Sequence, residues 1–299
     1  MSMPFYRFIK GNFVIVSYEP DGDSVRFIAD NAQLFQGLKR SHRIQISKKD
    51  GSVQLRFEGV DSTELHYGNA AQPLGAEARD QLLNWMGFSE IQFDKKRVTM
   101  VTSAHPGAIS GGILTKGVDP HGRPIVYALL GANVVREKDG ATVNADAALL
   151  SKTMNQRLLE TGMAYPLFYS SMPQDDQQQF RKAAAQARKK QLGVWKIDTT
   201  REFVLIDQVS IGPDGECIFP KIFRRCTDFL KAVTKGFSGD LVNWLISTHG
   251  DPKGTEDDQV ITHATSSNPV EVRLSSVVQQ RNNRVVFQPD LLDIVFIEK

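Results

Sequence analysis

Residues 53–64, VQLRFEGVDSTE, decide how the rest of the chain is read. Val53, Leu55 and Phe57 alternate with Gln54, Arg56 and Glu58, the period-2 pattern of a strand with one face in a core. The strand runs into a loop carrying Asp61 and Glu64. One short segment thus presents a guanidinium and two carboxylates in the order R-x4-D-x2-E. A strand end holds such groups rigidly, and the loop beyond it turns them toward one point. A salt-bridged strand edge carries the same residue types, so this spacing alone assigns no chemistry.

Two further stretches narrow the reading. Upstream, Pro20-Asp21-Gly22-Asp23-Ser24 is a turn between the alternating runs 12–18 and 24–29, which together read as a hairpin. Downstream, Asp119-Pro120-His121-Gly122-Arg123-Pro124 is a turn leading into the apolar run 125–130. The order DGDSV, then R-x4-D-x2-E, then D-x2-GR before a strand resembles the staphylococcal nuclease (thermonuclease) family. Leu159-Glu160-Thr161-Gly162-Met163-Ala164 is similar to that family's L-x-x-G-L-A segment. The basic amphipathic run 175–191, closed by Leu192-Gly193-Val194-Trp195, is similar to its last helix and tryptophan. The resemblance covers roughly residues 10–196.

The resemblance implies an α+β fold: an OB-fold, five-stranded β-barrel with about three packing helices over residues 1–199. Residues 200–299 then form a small C-terminal α+β domain or extension in which no chemistry is recognised. It also implies a calcium-dependent nuclease hydrolysing DNA and/or RNA with low sequence specificity. Calcium takes carboxylate, carbonyl and water oxygens, and the matching donors are Asp23, Asp61 and the backbone carbonyl of Ser62. Glu64 matches the carboxylate that orients or deprotonates the attacking water. Arg56 and Arg123 match the two arginines whose planar forks grip phosphate oxygens. The alternative is a non-catalytic nucleic-acid-binding or scaffold protein that keeps the fold.

The sequence departs from the family pattern at two places. Thr63 stands where the family often has proline. The aromatic that follows the family's G-L-A segment has no clean equivalent, and Phe168 and Tyr169 read as core or rim residues. His121 reads as a turn residue.

Composition sets outer bounds. A chain of 299 residues with 41% hydrophobic and 23% charged residues is an ordinary globular composition, long enough for one large domain or two smaller ones. No window approaches the ~18 consecutive apolar residues of a membrane span. The N-terminal residues MSMPFYRFIKGNFVIV lack the layout of a signal peptide, which points to an intracellular, cytoplasmic protein. Cys217 and Cys226 match no zinc spacing and read as reduced thiols. The net charge of +2 divides unevenly: residues 1–200 hold 25 Lys and Arg against 20 Asp and Glu, and the remainder 11 against 14. The first part is the better candidate to meet a polyanion.

The remaining expectations follow the chain. Residues 43–47 and 53–60 read as a second hairpin around Lys48-Lys49-Asp50-Gly51. Residues 75–86 read as a helix with Ala78, Leu82, Leu83 and Met86 on one stripe, stopped by Gly87. Residues 91–93 and 97–101 read as strands, and the small-residue run 102–118 as an insertion on the rim of the site. Residues 145–162, 219–233 and 239–248 read as helices. Residues 249–258 read as a polar loop, and 260–265, 270–274, 284–287 and 294–298 as short strands.

Overall fold

The computed structural model describes residues 5–249 and 255–298, so residues 250–254 of the expected loop 249–258 lie outside the described residues. In chain order the strands and helices of the first part are β1 (Phe5–Val14), β2 (Arg26–Ala29), β3 (Val53–Gln54), β4 (Arg56–Phe57), β5 (Val60–Asp61) and α1 (Gly75–Met86). They continue with β6 (Ser89–Phe93), β7 (Val101–His105), β8 (Ala108–Val118), β9 (Pro124–Leu130) and β10 (Thr142–Asn144). Next come α2 (Ala147–Leu150), α3 (Met154–Glu160), β11 (Tyr165–Pro166) and α4 (Gln174–Lys189). Beyond them lie β12 (Glu202–Val204), α5 (Pro220–Thr234), α6 (Leu241–Ser247), β13 (Gln259–Thr262), β14 (Val270–Arg273), β15 (Val278–Arg281), β16 (Arg284–Phe287) and β17 (Ile294–Phe296).

One seven-stranded sheet runs in the order β3-β2-β1-β8-β9-β4, with β10 added on β1. Its two ends, β3 and β4, are separated in sequence by Leu55 alone, so the sheet has to curl until its edges nearly meet. That is a nearly closed barrel, the α+β OB-type architecture expected. The strand count exceeds five because β1 is ten residues long and pairs with β10 at Phe5–Arg7 and with β2 at Gly11–Val14.

Two local expectations need correction. Residues 53–60 form no simple hairpin with 43–47, which contribute only the Ile46–Val53 bridge. Instead β3 pairs with β2, β4 runs parallel to β9 with Arg56 opposite Ile125, and β5 pairs with β11. The run 102–118 is no rim insertion either. Its second half is β8, paired with β1 from Arg7–Thr115 to Val14–Ala108 and with β9 on its other side. The glycines that suggested a loop are there to admit bulk: a Cβ on Gly112 would lie 2.3 Å from Phe8 Cε2, and one on Gly111 2.6 Å from Phe13 Cε2 and from the Leu129 carbonyl oxygen.

The helices follow their apolar periodicity. α1 buries Ala78, Leu82, Leu83 and Met86 and ends at Gly87, whose φ of 102° suits glycine. The expected helix 145–162 is divided because Thr153 leaves helical geometry and caps α3 through the Gln156 amide. α4 lays Phe180, Ala183, Ala184 and Ala187 on the barrel. Each fully buried Phe is worth ~1.5–3 kcal/mol relative to exposure.

The apolar core runs on without a break past residue 199. Phe219 meets Tyr165 edge-on at 5.8 Å, and the amide of Phe296 donates to the Phe168 carbonyl at 2.8 Å. Two three-stranded sheets form here: β12-β16-β15, of which only β12 precedes α5, and β14-β13-β17, which follows α6 in sequence. Both cysteines are free and buried. Among the described residues no helix is long and apolar enough to cross a membrane.

Candidate functional site

Three segments meet at one end of the barrel. The turn 20–24 is closed by the Asp21 amide bonding the Ser24 carbonyl at 3.1 Å, and it rests on the loop after β5. Contact there is close enough that a Cβ on Gly22 would lie 2.6 Å from Ser62 Oγ and 2.8 Å from Ala78 Cβ. Asp23 Oδ2 accepts from the Ser62 amide at 3.1 Å, fastening the turn to the loop. Asp61 is fixed by strand pairing with Tyr165. The Glu64 amide donates to Gln72 Oε1 at 3.1 Å, while the Gln72 amide donates to the Glu64 carbonyl at 2.8 Å.

The two arginines come from β4 and from the turn before β9. Parallel pairing of β4 with β9 sets Arg56 opposite Ile125, two residues beyond Arg123. Arg123 is steered by Asp119, which is fully buried: Oδ2 takes the guanidinium Nε at 2.7 Å and Oδ1 the Arg123 amide at 2.9 Å. Holding Arg123 by Nε leaves its Nη end for another anion. Arg56 lies over the ring of Tyr169, 4.9 Å from its centroid. The segments carrying Asp23, Asp61, Ser62, Glu64, Arg56 and Arg123 are thus brought together. His121 is an exposed turn residue.

Electrostatics shows how tightly the acids are packed. Burial first, then the charges of Asp61 and Glu64, push Asp23 up to about 7. Burial, then Asp23 and Glu64, hold Asp21 well above the usual carboxylate range. Glu64 is also raised, by burial chiefly and by Asp61, against the pull of Arg224. Crowded carboxylates of this kind call for a cation.

That cation comes from a region in which the sequence suggested no chemistry. Arg224, on α5, donates from Nη2 to Asp61 Oδ2 at 2.9 Å and from Nη1 to Asp61 Oδ1 at 3.1 Å, and Nη1 also bonds Glu64 Oε1. Burial alone would lower the Arg224 pKa; Asp61 and Glu64 outweigh it and raise it well above the ordinary guanidinium value. One turn earlier, Lys221 donates to the Tyr169 hydroxyl at 3.3 Å and pairs with Asp258 at 3.3 Å. One turn later, Asp228 accepts from the Tyr67 hydroxyl at 2.5 Å. The signal was present as spacing: Lys221, Arg224, Asp228 and Lys231 recur at three and four residues on one helix face. Nothing in the sequence said that this face meets residues 61–67.

Tyr169 is the rim aromatic expected, partly buried against the core, and it also lies between two cations. Burial would raise its phenol, yet Lys221 and Arg56 lower it to about 8. Phe168 is a core residue, fully buried with Arg181 stacked on its ring.

The donors suit a calcium ion in kind, being two carboxylates and a backbone carbonyl, all oxygen. They do not form a cage: among the described residues no group of three or more His, Cys, Asp and Glu side chains is arranged to hold a metal ion. Both oxygens of Asp61 are taken by the Arg224 fork.

A nearly closed barrel with acids and arginines gathered at one end defines an α+β protein of the OB-fold type. Residues 54–197 match the family model described as staphylococcal nuclease homologue, so this stretch of the chain is staphylococcal-nuclease-like. No curated protein matches the chain.

Proposed function

We propose that this protein is a calcium-dependent nuclease that hydrolyses DNA and/or RNA phosphodiesters with little regard for sequence. The observation carrying this reading is the convergence of Asp23, Asp61 and Glu64 with Arg123 and Arg56 from separate segments, in a chain whose residues 54–197 are staphylococcal-nuclease-like. Asp23, Asp61 and the Ser62 carbonyl would hold calcium, which supplies charge neutralisation at the scissile phosphate. Glu64 accepts the proton of the attacking water or orients it. Arg123, held by Asp119 through Nε, presents its remaining nitrogens to a phosphate oxygen. Arg56, backed by Tyr169, stabilises charge as it develops on the phosphorus oxygens. Phosphate contacts carry no sequence information, so low specificity follows.

A second reading, a nucleic-acid-binding or scaffold protein without turnover, draws on the Arg224 pairing, which occupies Asp61 and Glu64 together. The division into residues 1–199 and 200–299 belongs to the proposal too, with the second part acting on the site of the first. Cleavage of single-stranded DNA and of RNA, by wild type and by Glu64→Gln, with calcium and with chelator, separates the readings. The nuclease reading expects cleavage that requires calcium and is lost in the variant. Retarded but intact nucleic acid in every lane would favour the binder.

A further inference from the structure

We propose that α5 is a built-in lock on the site: the Arg224 guanidinium holds both oxygens of Asp61, where a divalent cation would bind, while also bonding Glu64, so that cation and Arg224 compete for Asp61. The inference rests on the reading of Asp61 as a cation ligand. Its basis is stereochemical. A bidentate fork covers the edge of the carboxylate on which a cation would sit, and Arg224 spans both Asp61 oxygens while bonding Glu64 with the same Nη1. A hard cation and a guanidinium cannot share those lone pairs, and their like charges repel at that distance.

The rest of α5 is secured without Arg224. Pro220 starts the helix, and Ile222, Phe223 and Cys226 are buried in the core. Gln72 Nε2 donates to the Ile218 carbonyl at 2.7 Å just before it, and Tyr67 bonds Asp228 farther along. Arg224 is therefore free to swing out while the helix stays docked, as a lock on a fixed frame requires. Its side chain keeps 20% exposure, so solvent already reaches one side of it. Arg225, its neighbour, shows the contrast: its guanidinium pairs with Asp258 and Glu256, within the C-terminal region itself, and never meets the acids of the barrel. Through Arg224 the C-terminal region sets how much calcium the site needs.

The test measures calcium binding by titration calorimetry on the full chain, with cleavage recorded beside it, for wild type, Arg224→Ala and Arg224→Lys. Removing the competitor should tighten calcium binding at least tenfold in Arg224→Ala and lower the calcium needed for half-maximal cleavage by a similar factor. Arg224→Lys, a point charge without the fork, should fall between the two. Arg224→Gln replaces the alanine variant should that one fail to fold. Equal or weaker calcium binding after loss of Arg224 overturns the lock, and if both proteins still cleave, the nuclease reading survives. Tighter calcium binding without any cleavage keeps the lock and removes the nuclease. Calcium binding to neither protein overturns the lock, and cleavage in chelator then decides the activity.

Discussion

Arg56 lies 4.9 Å from the centre of the Tyr169 ring, and the Tyr169 hydroxyl accepts from Lys221 at 3.3 Å. A phenol between two cations ionises early, and Tyr169 is brought down to about 8. A folded-state pKa below the unfolded value of ~10 adds stability that is complete above pH ~10 and is lost as pH falls through ~8. Tyrosinate absorbance should therefore rise near pH 8 for one of the six tyrosines, and stability should grow between pH ~8 and ~10 by at most ~2.7 kcal/mol. Tyr169→Phe should abolish both, and Lys221→Met should move the early titration upward. A first tyrosine titrating at 10 or above in wild type would refute the arrangement.

Asp119 acts on the proposed chemistry only through Arg123. Arg123→Ala should cut kcat by roughly 10²–10³, the usual effect of losing one charge-stabilising donor. Asp119→Asn keeps an acceptor for the Arg123 and His121 amides but weakens the hold on Nε. It should cost roughly tenfold, as a misplaced group does, with the melting temperature little changed. Cleavage kinetics of the two variants side by side check the order; equal losses would mean that Asp119 does more than position.

Local patterns in the sequence carried much of this. The hairpin around residues 20–24, helices α1, α4, α5 and α6, and strand β9 all show their period and their stop signals in the residues themselves. The short pieces β3, β4 and β5 do not, because each pairs with a different partner and a partner is invisible to periodicity. Arg224 was illegible for the same reason: its carboxylate Glu64 lies 160 residues away, and a charged helix face reads as solvated. Residues 108–118 misled through composition, since small residues under Phe8 and Phe13 look like a loop until those rings are placed.

Those glycines give a graded test of the barrel. A Cβ at residue 112 meets the ring edge of Phe8, which has some freedom to shift, whereas at 111 it meets the Leu129 carbonyl oxygen, which is pinned in the sheet. Gly112→Ala should destabilise by about 1–3 kcal/mol, the range for overpacking a core, and Gly111→Ala by more. Urea unfolding of both variants measures it. A loop on the rim, as composition suggested, would tolerate either change.

Gln72 supplies a second tie between the Glu64 loop and the entrance to α5, accepting from the Glu64 amide and donating to the Ile218 carbonyl. Both partners lose their bond in Gln72→Leu, and an unpaired buried group costs ~1–3 kcal/mol, so a loss of roughly 2–4 kcal/mol is expected. Arg224 joins the same loop to the same helix by a separate route. Residues that share a loop and a helix couple, typically by about 0.5–3 kcal/mol, so the effects of Gln72→Leu and Arg224→Ala on stability should fail to add. Each tie narrows the range of loop positions that the other meets, while α5 itself stays docked through its apolar face. A double-mutant cycle by urea unfolding measures the coupling. Strict additivity would mean that loop and helix are held rigid by the apolar core alone, with the Arg224 fork then reading a fixed site rather than helping to shape it.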